Sequence, residues 1–402
     1  MALQEPMRDQ ERGGLRVLHI ITRLDRGGSA DNTLLSCIGQ RRRGHHVALA
    51  SGWGLTEESP LRSQAESEGV ELIRIPSLVR AVDPLKDLGA LRACRRLIRE
   101  GRYDLVHTHT SKAGILGRLA ARRAGGCRVV HTPHGHVFYG YFGPLKTRLF
   151  IWAERLMARW TDAIVTLTDR EAEEHLALGI GRPPQFVTIF SGIPPPQAKA
   201  RNGADPTRRR ALGLPAEGAL IGSVGRLDPV KGHDLLIRAF AALQARQPGA
   251  RLVLIGEGER RGACEALARE LGAAGKVSFL GWREDVAELL AELDLFVFPS
   301  RNEGMGRAAV EAMAAGLAVV ATRTGGLPDV VREGRTGLLV PPDDPGALSA
   351  AIERLLSRPE ERRAMGEAGR ELAQAYSAEQ MCEKIEALYQ RLLAPTAPGF
   401  AG

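Results

Sequence analysis

The sequence predicts an α/β protein made of two doubly wound, parallel-sheet domains in tandem. Three observations lead there. Short apolar runs bounded by turn residues recur along the 402-residue chain. Stretches with helical spacing lie between them, which is the signature of βαβ units whose sheets are covered on both faces. The alternation breaks once, near the middle, and then restarts.

In the first half the predicted strands are 16–21 (RVLHII), 46–51 (HVALAS), 71–76 (ELIRIP), 104–109 (DLVHTH), 128–132 (RVVHT), 163–168 (AIVTLT) and 186–190 (FVTIF). Helical spacing occupies 30–43, 84–99, 112–124 and 145–160. Residues 192–218, with PPPQAKARNGADPTRRR, have no apolar period and read as a linker. Strands resume at 220–224, 251–255, 277–280, 295–298, 318–321 and 337–340, with helices at 233–247, 259–273, 306–315 and 346–356. Two further helices, 359–375 and 377–393, close the chain. The expected units are a first domain over 1–195, a linker over 196–218, a second domain over 219–376, a helix over 377–394 and a disordered tail over 395–402. Paired doubly wound sheets place a binding cleft between them, outside the carboxyl ends of their strands.

Composition narrows the function. At 44% hydrophobic and 25% charged residues the chain is neither collagenous nor disordered. Its five cysteines share no CxxC spacing, which argues against a zinc cluster or a disulfide framework and for a reducing compartment. No apolar run reaches the roughly 18 residues a membrane span needs, and the polar start from Met1 to Gly14 lacks a signal-peptide core. A cytoplasmic protein is expected. The net charge of +8 is unevenly placed: residues 1–195 hold 28 Lys+Arg against 20 Asp+Glu, and the remainder 27 against 27. A basic half attracts something anionic, although Arg-rich helices also arise simply for solubility.

Five motifs carry chemistry. The first runs from Phe298 to Gly306 (FPSRNEGMG), between a buried strand and a helix. Its glycines let backbone amides approach a ligand, and the helix N-terminus favours an anion. Glu303 stands in the turn and Glu311 about two turns further along. One carboxylate suits a sugar ring and the other a ribose diol; an N-terminal Glu favoured by the helix dipole plus a solvated Glu is the plainer alternative. The second motif, GSVGRLDPVKG at 222–232, places Arg226 and Lys231 beside a helix start, suited to a diphosphate or simply two surface cations. It is not a Walker A loop. The third, RGGSA at 26–30, offers the Gly28 amide, and an ordinary tight turn explains it equally well.

The fourth is a group of histidines: His107 and His109 share a strand face, and His131, His134 and His136 follow in HTPHGHVFYG. A metal site is one option. No carboxylate or cysteine completes a ligand set within these segments, so hydrogen-bonding histidines at a sugar site are preferred, with His134 first among them and His131 structural. The fifth is 138–160, which carries seven of the 19 aromatic residues. Core packing is the default. The alternative is a surface where Phe138, Tyr139, Tyr141 and Phe142, flanked by Lys146 and Arg148, meet lipid or a lipid-linked acceptor.

The order GG, HGH, GRLxxxKG and SRNEGMGRAAVEAMAAG followed by GGLPDVVREGRTGLLVPPDD resembles the family 4 retaining glycosyltransferases of the GT-B fold. The resemblance runs from about 16 to 393 and is most specific in the second half; THTSKAGILGRLAARRAG with HTPHGHVFYG resembles bacterial members that build cell-surface polysaccharides. It implies two Rossmann-like domains, the first for the acceptor and the second for a nucleoside-diphosphate sugar, with a UDP-sugar expected, and a last helix crossing back. By motif, Arg226 and Lys231 would bind the diphosphate. Glu303 would contact sugar hydroxyls, near the amides of Gly304, Met305 and Gly306. Glu311 would bind ribose, Gly28 would lend an amide from across the cleft, and His134 would contact the sugar near the reacting carbon. Backbone around Trp282 and Arg283 would hold the base.

Two departures stand out: Ser191 replaces a common Asn, and Gly306 a common Pro. No DxD triplet occurs, so the diphosphate charge is expected to be met without a metal or any other cofactor. The expected activity is transfer of a hexose or N-acetylhexosamine to a saccharide or polyprenyl-diphosphate-linked acceptor, His134 and Glu303 being the catalytic candidates. Contact with an anionic membrane at the inner face of the plasma membrane is a further expectation. An epimerase of the same architecture is the alternative. A nucleic-acid protein is disfavoured, since no recognition motif appears, and so is an NAD enzyme, since no GxGxxG follows a first strand.

Overall fold

The computed structural model describes residues 14–24, 27–53, 60–135, 143–194 and 205–394. The first sheet contains β1 (Arg16–Arg23), β2 (His46–Trp53), β3 (Glu71–Arg74), β4 (Leu105–His109), β5 (Arg128–Thr132), β6 (Ala163–Thr166) and β7 (Phe186–Thr188) in the order β3-β2-β1-β4-β5-β6-β7. The second contains β8 (Leu220–Val224), β9 (Arg251–Ile255), β10 (Val277–Gly281), β11 (Leu295–Phe298), β12 (Val319–Thr322) and β13 (Gly337–Val340) in the order β10-β9-β8-β11-β12-β13. Every pairing is parallel. β4, β6, β11 and β12 are buried along their whole length, because helices cover both faces.

Strand order reverses between β1 and β4 in one sheet and between β8 and β11 in the other. Loops leaving neighbouring strands there diverge to opposite faces and open a crevice. Side-chain caps fix several of the intervening helices. Asp83 accepts from the amides of Leu85 and Lys86, Thr168 from Glu171, and Asp344 from Ala347. Helix Asp169–Ala177 was not foreseen from the sequence: DREAEEHLA has little apolar period, and its Thr168 cap and buried Glu171 and His175 hold it.

The expected linker is too long. Residues from Asp205 belong to the second domain, where helix Pro206–Ala211 is capped by Asp205. Arg209, 2% exposed, donates to the carbonyls of Gly218 and Glu292 and to the Asp294 carboxylate at 3.1 Å. The charge that suggested a solvated segment is therefore an internal tie. The expected tail, 395–402, lies outside the described residues.

The chain crosses between domains twice, and the two crossings lie side by side. Ile193 donates to the Tyr376 carbonyl and Ala378 to the Ile193 carbonyl, both at 2.9 Å. Helix Ala378–Leu393, capped by Ser377, then packs on the first domain. Its Met381, Cys382, Ile385, Leu388 and Tyr389 join Val17, Leu105, Val130, Ala163 and Val165 in one buried cluster. Gly39 permits this approach: a Cβ there would lie 2.2 Å from Cys382 Sγ.

Candidate active site

The two reversal points face each other across a cavity of about 1210 Å³. Its second-domain wall comes from the loops after β8, β11 and β12. Asp228 caps the short turn Pro229–Lys231 by accepting from the Lys231 amide. This turn aims Lys231 at the β11 loop, where its Nζ donates to Glu303 Oε2 at 2.5 Å and stands 5.4 Å from the centre of the Phe298 ring. Ser300 Oγ donates to the same Glu303 oxygen at 3.2 Å. The Gly326 amide donates to the carbonyls of Glu303 and Gly304 at 3.1 and 3.0 Å, so the GGLPD segment clamps the turn from behind. Gly306 has φ 81°, a conformation that suits glycine, and starts helix Arg307–Ala314. Arg226 reaches Asp228 at 3.0 Å, with its side chain 58% exposed.

The first-domain wall comes from the loops after β1, β4 and β5, with the segments after β3 and β6 and helix Pro144–Ala158 beside them. His134 and Gly135 follow β5 with φ of 60° and 85°. Glu171 holds this turn by accepting from the amides of Gly135 at 2.9 Å and Leu167 at 2.6 Å. Sequence reading missed Glu171, because its partner lies 36 residues away. His134 Nε2 is 2.9 Å from His109 Nδ1, and burial lowers the His134 pKa to about 3, so the ring is neutral at physiological pH. The walls nearly touch at two glycines: a Cβ on Gly304 would lie 3.2 Å from the Gly135 Cα.

The structure thus brings His134, Arg226, Lys231, Glu303 and Gly304 to one cavity, together with Lys146. The other candidates sit elsewhere. Met305 is 2% exposed, and its sulfur accepts from the Ser191 amide at 3.1 Å, so its side chain packs between domains instead of facing the cavity. Glu311 pairs with Arg307 at 3.0 Å, and Arg307 reaches Asp31 of the first domain at 3.5 Å. Burial raises the Glu311 pKa, and Arg307 opposes that rise. Arg283 ties Asp285 to the Leu212 carbonyl, and Trp282 is half exposed. A Cβ on Gly28 would meet nothing within 4 Å, and its neighbour Ser29 lines the cavity. Phe138, Tyr139, Tyr141, Phe142 and His136 lie outside the described residues, while Arg148 lies on helix Pro144–Ala158.

His19, His107 and His109 each bring a ring nitrogen within 4.8 Å of the others, and hydrogen bonds occupy that cluster. His107 has both nitrogens engaged, Nδ1 with the Tyr389 hydroxyl at 2.6 Å and Nε2 with Thr132 Oγ1 at 2.7 Å. His131 occupies the opposite sheet face beside Thr108.

Comparison with known proteins decides the family. Residues 27–192 match the model of the glycosyl transferase 4-like domain, and 205–372 match glycosyl transferases group 1. A putative glycosyltransferase, EpsD of Bacillus subtilis, is 32% identical over 79% of this chain and 84% of its own length. The chain is a glycosyltransferase. The enzyme is also 30% identical to the UDP-Gal:alpha-D-GlcNAc-diphosphoundecaprenol alpha-1,3-galactosyltransferase of Escherichia coli, over 74% of this chain and 78% of that one. Its fold is GT-B. The Anabaena protein HepE, solved with UDP and glucose, superposes with a TM-score of 0.80 at 21% identity, covering 94% of this chain and all of that one. Sucrose-phosphate synthase of Thermosynechococcus elongatus gives 0.80 at 25% identity, covering 95% of this chain and all of that one. For this glycosyltransferase, the family sets aside the epimerase and nucleic-acid readings.

Proposed function

We propose that this glycosyltransferase moves a hexose or N-acetylhexosamine from a UDP-sugar, with retained anomeric configuration, to a saccharide or polyprenyl-diphosphate-linked acceptor. The observation that carries the proposal is one cavity with two unlike walls: Arg226, Lys231 and Glu303 on the second domain, and on the first, basic side chains beside an apolar edge. The diphosphate would compete with Glu303 for Lys231, freeing the carboxylate for sugar hydroxyls. As the bond to the anomeric carbon breaks, Arg226 and Lys231 offset the charge on the departing diphosphate, with no metal required. No protein nucleophile is assigned; the acceptor attacks from the leaving-group face and the diphosphate takes its proton. By family resemblance Glu311 and the backbone at Trp282 and Arg283 would hold the nucleoside and the Gly28 and Met305 amides would lie near the phosphates, although none of the five lines the cavity.

The acceptor side supports a lipid-linked substrate. Val82, Leu85 and Leu88 at one edge and Leu145, Leu149 and Trp152 on helix Pro144–Ala158 are exposed large apolar side chains, and Val82 and Leu149 line the cavity itself. Positions 145, 149 and 152 share one helix face. Lys146 and Arg148 flank it. Among the described residues no helix is long and apolar enough to cross a membrane. Such an edge fits peripheral contact with an anionic leaflet, where the E. coli relative's named acceptor, a diphosphoundecaprenol, would be embedded.

The test is a panel of nucleotide sugars assayed for donor hydrolysis and transfer, with and without EDTA, and NMR of the product anomer. Turnover of a UDP-sugar with retention, unaffected by EDTA, supports the proposal. Inversion, or loss on chelation restored by Mg²⁺, overturns it.

A further inference from the structure

A row of buried side chains runs behind His134 to the C-terminal helix. His134 Nε2 is 2.9 Å from His109 Nδ1, His109 Nε2 is 2.9 Å from His19 Nδ1, and His19 Nε2 is 2.9 Å from Gln40 Oε1. Gln40 Nε2 donates at 3.2 Å to Tyr389 OH, which also meets His107. Gln40 and His19 are 0% exposed and His109 1%. The topology explains the row: β1 and β4 are neighbours, with His19 in register with His107 and His109 two residues on, and the C-terminal helix closes over that face.

A neutral imidazole has one N–H and one acceptor nitrogen. Burial keeps these rings neutral, lowering His19 to about 4 and His109 well below its ordinary value. The protons in the row can then be counted. With the Gln40 oxygen facing His19, His19 Nε2 must donate to it. His19 Nδ1 must then accept from His109 Nε2, and His109 Nδ1 from His134 Nε2. That leaves His134 Nδ1 with a lone pair and no hydrogen bond among the described residues, on a ring that lines the cavity. Reversing the Gln40 amide would reverse every step. No mixed pattern satisfies all three bonds.

We propose that Gln40, acting through His19 and His109, fixes the tautomer of His134 so that its Nδ1 meets the donor sugar as a hydrogen-bond acceptor. Gln40, His19 and His109 are positioning residues. Tyr389 accepts from the Gln40 amide in this arrangement, so the helix that returns from the second domain touches the residue that sets the polarity of the row. The proposal rests on the donor sugar lying against His134.

The test is two-bond ¹H–¹⁵N correlation NMR on histidine-labelled full-length protein, which distinguishes protonated from lone-pair ring nitrogens. The expected result is Nε2–H for His19, His109 and His134 from pH 6 to 8. Gln40→Met, remote from the cavity, should leave His134 without a single tautomer. It should also lower kcat about tenfold, the lower end of the loss seen when a metal-bound histidine loses its orienting partner, with donor KM little changed. Gln40→Glu, whose oxygen accepts from His19 in the same sense, should keep the tautomer and recover kcat. Nδ1–H at His134, or mixed tautomers along the wild-type row, would overturn the proposal whether or not the variants fold. So would an unchanged His134 in Gln40→Met. His134→Ala separates the two claims: normal kcat there removes the sugar from His134 while the tautomer pattern still decides the row.

Discussion

The two walls of the cavity are built differently. The side chains of the second-domain wall come from two short contiguous stretches, each following a central strand, and hold one another: Lys231 on Glu303, Ser300 on Glu303, Asp228 on Arg226. The first-domain wall is gathered from loops far apart in sequence, backed by a buried histidine row, and edged by exposed apolar side chains among cations. In the proposed reading, a donor's diphosphate would be met by a fixed local motif. The acceptor would be met by surface that can change loop by loop.

The largest expected difference between the walls is in acid. Burial lowers the pKa of five first-domain histidines, His19, His107, His109, His131 and His134, and in the second domain that of His233. A folded pKa below the unfolded value means that the unfolded chain takes protons first. The stability from keeping these rings neutral is full above pH 6.5 and is lost as pH falls toward the folded values, about 4 for His19. Each such ring costs about 1.4 kcal/mol per pH unit over that window. Urea midpoints should therefore fall steeply between pH 6.5 and 4, with first-domain hydrogen exchange rising before second-domain exchange. Simultaneous loss in both domains would remove this distinction.

Next come the donor-wall substitutions. Lys231→Ala should lose about 2–4 kcal/mol of transition-state stabilisation, read as kcat/KM for donor hydrolysis. Arg226→Ala should lose less, since that side chain is largely exposed. Glu303→Gln should act mainly on kcat, and Glu311→Ala, distant from the reacting bond, mainly on donor KM. The reverse pattern would exchange their roles.

The smallest effects belong to the apolar edge. Changing Leu145, Leu149 and Trp152 to Ser should weaken binding to anionic vesicles while leaving donor hydrolysis intact. Removing Lys146 and Arg148 should cost about 1 kcal/mol each at low salt and almost nothing at high salt. Vesicle binding that ignores both changes would make this edge ordinary surface.

What the sequence revealed follows the same division. Sheet membership was legible because each strand is a short apolar run, and the donor wall because its residues are neighbours along the chain. Lys231 and Glu303 could be named before their contact was known. Glu171, Gln40 and Tyr389 could not, because Glu171 meets Gly135 across 36 residues and Gln40 meets His19 across 21 and Tyr389 across 349, and nothing in local pattern marks them. Arg209 was misread for the opposite reason: its neighbours are charged, so a buried tie looked like linker. At the acceptor edge, attention fell on the aromatics at 138–142, while the described exposure lies on Leu145, Leu149 and Trp152, which helical periodicity presents on one face.

In the proposed reading the second-domain wall holds the donor's diphosphate and the apolar edge of the first domain takes no part in holding it. Calorimetric titration of UDP into the wild type, Lys231→Ala and the Leu145→Ser, Leu149→Ser, Trp152→Ser variant tests it most directly. The account predicts that Lys231→Ala weakens UDP binding at least tenfold and that the triple variant matches the wild type. Equal affinity in Lys231→Ala, or loss in the triple variant alone, would contradict it.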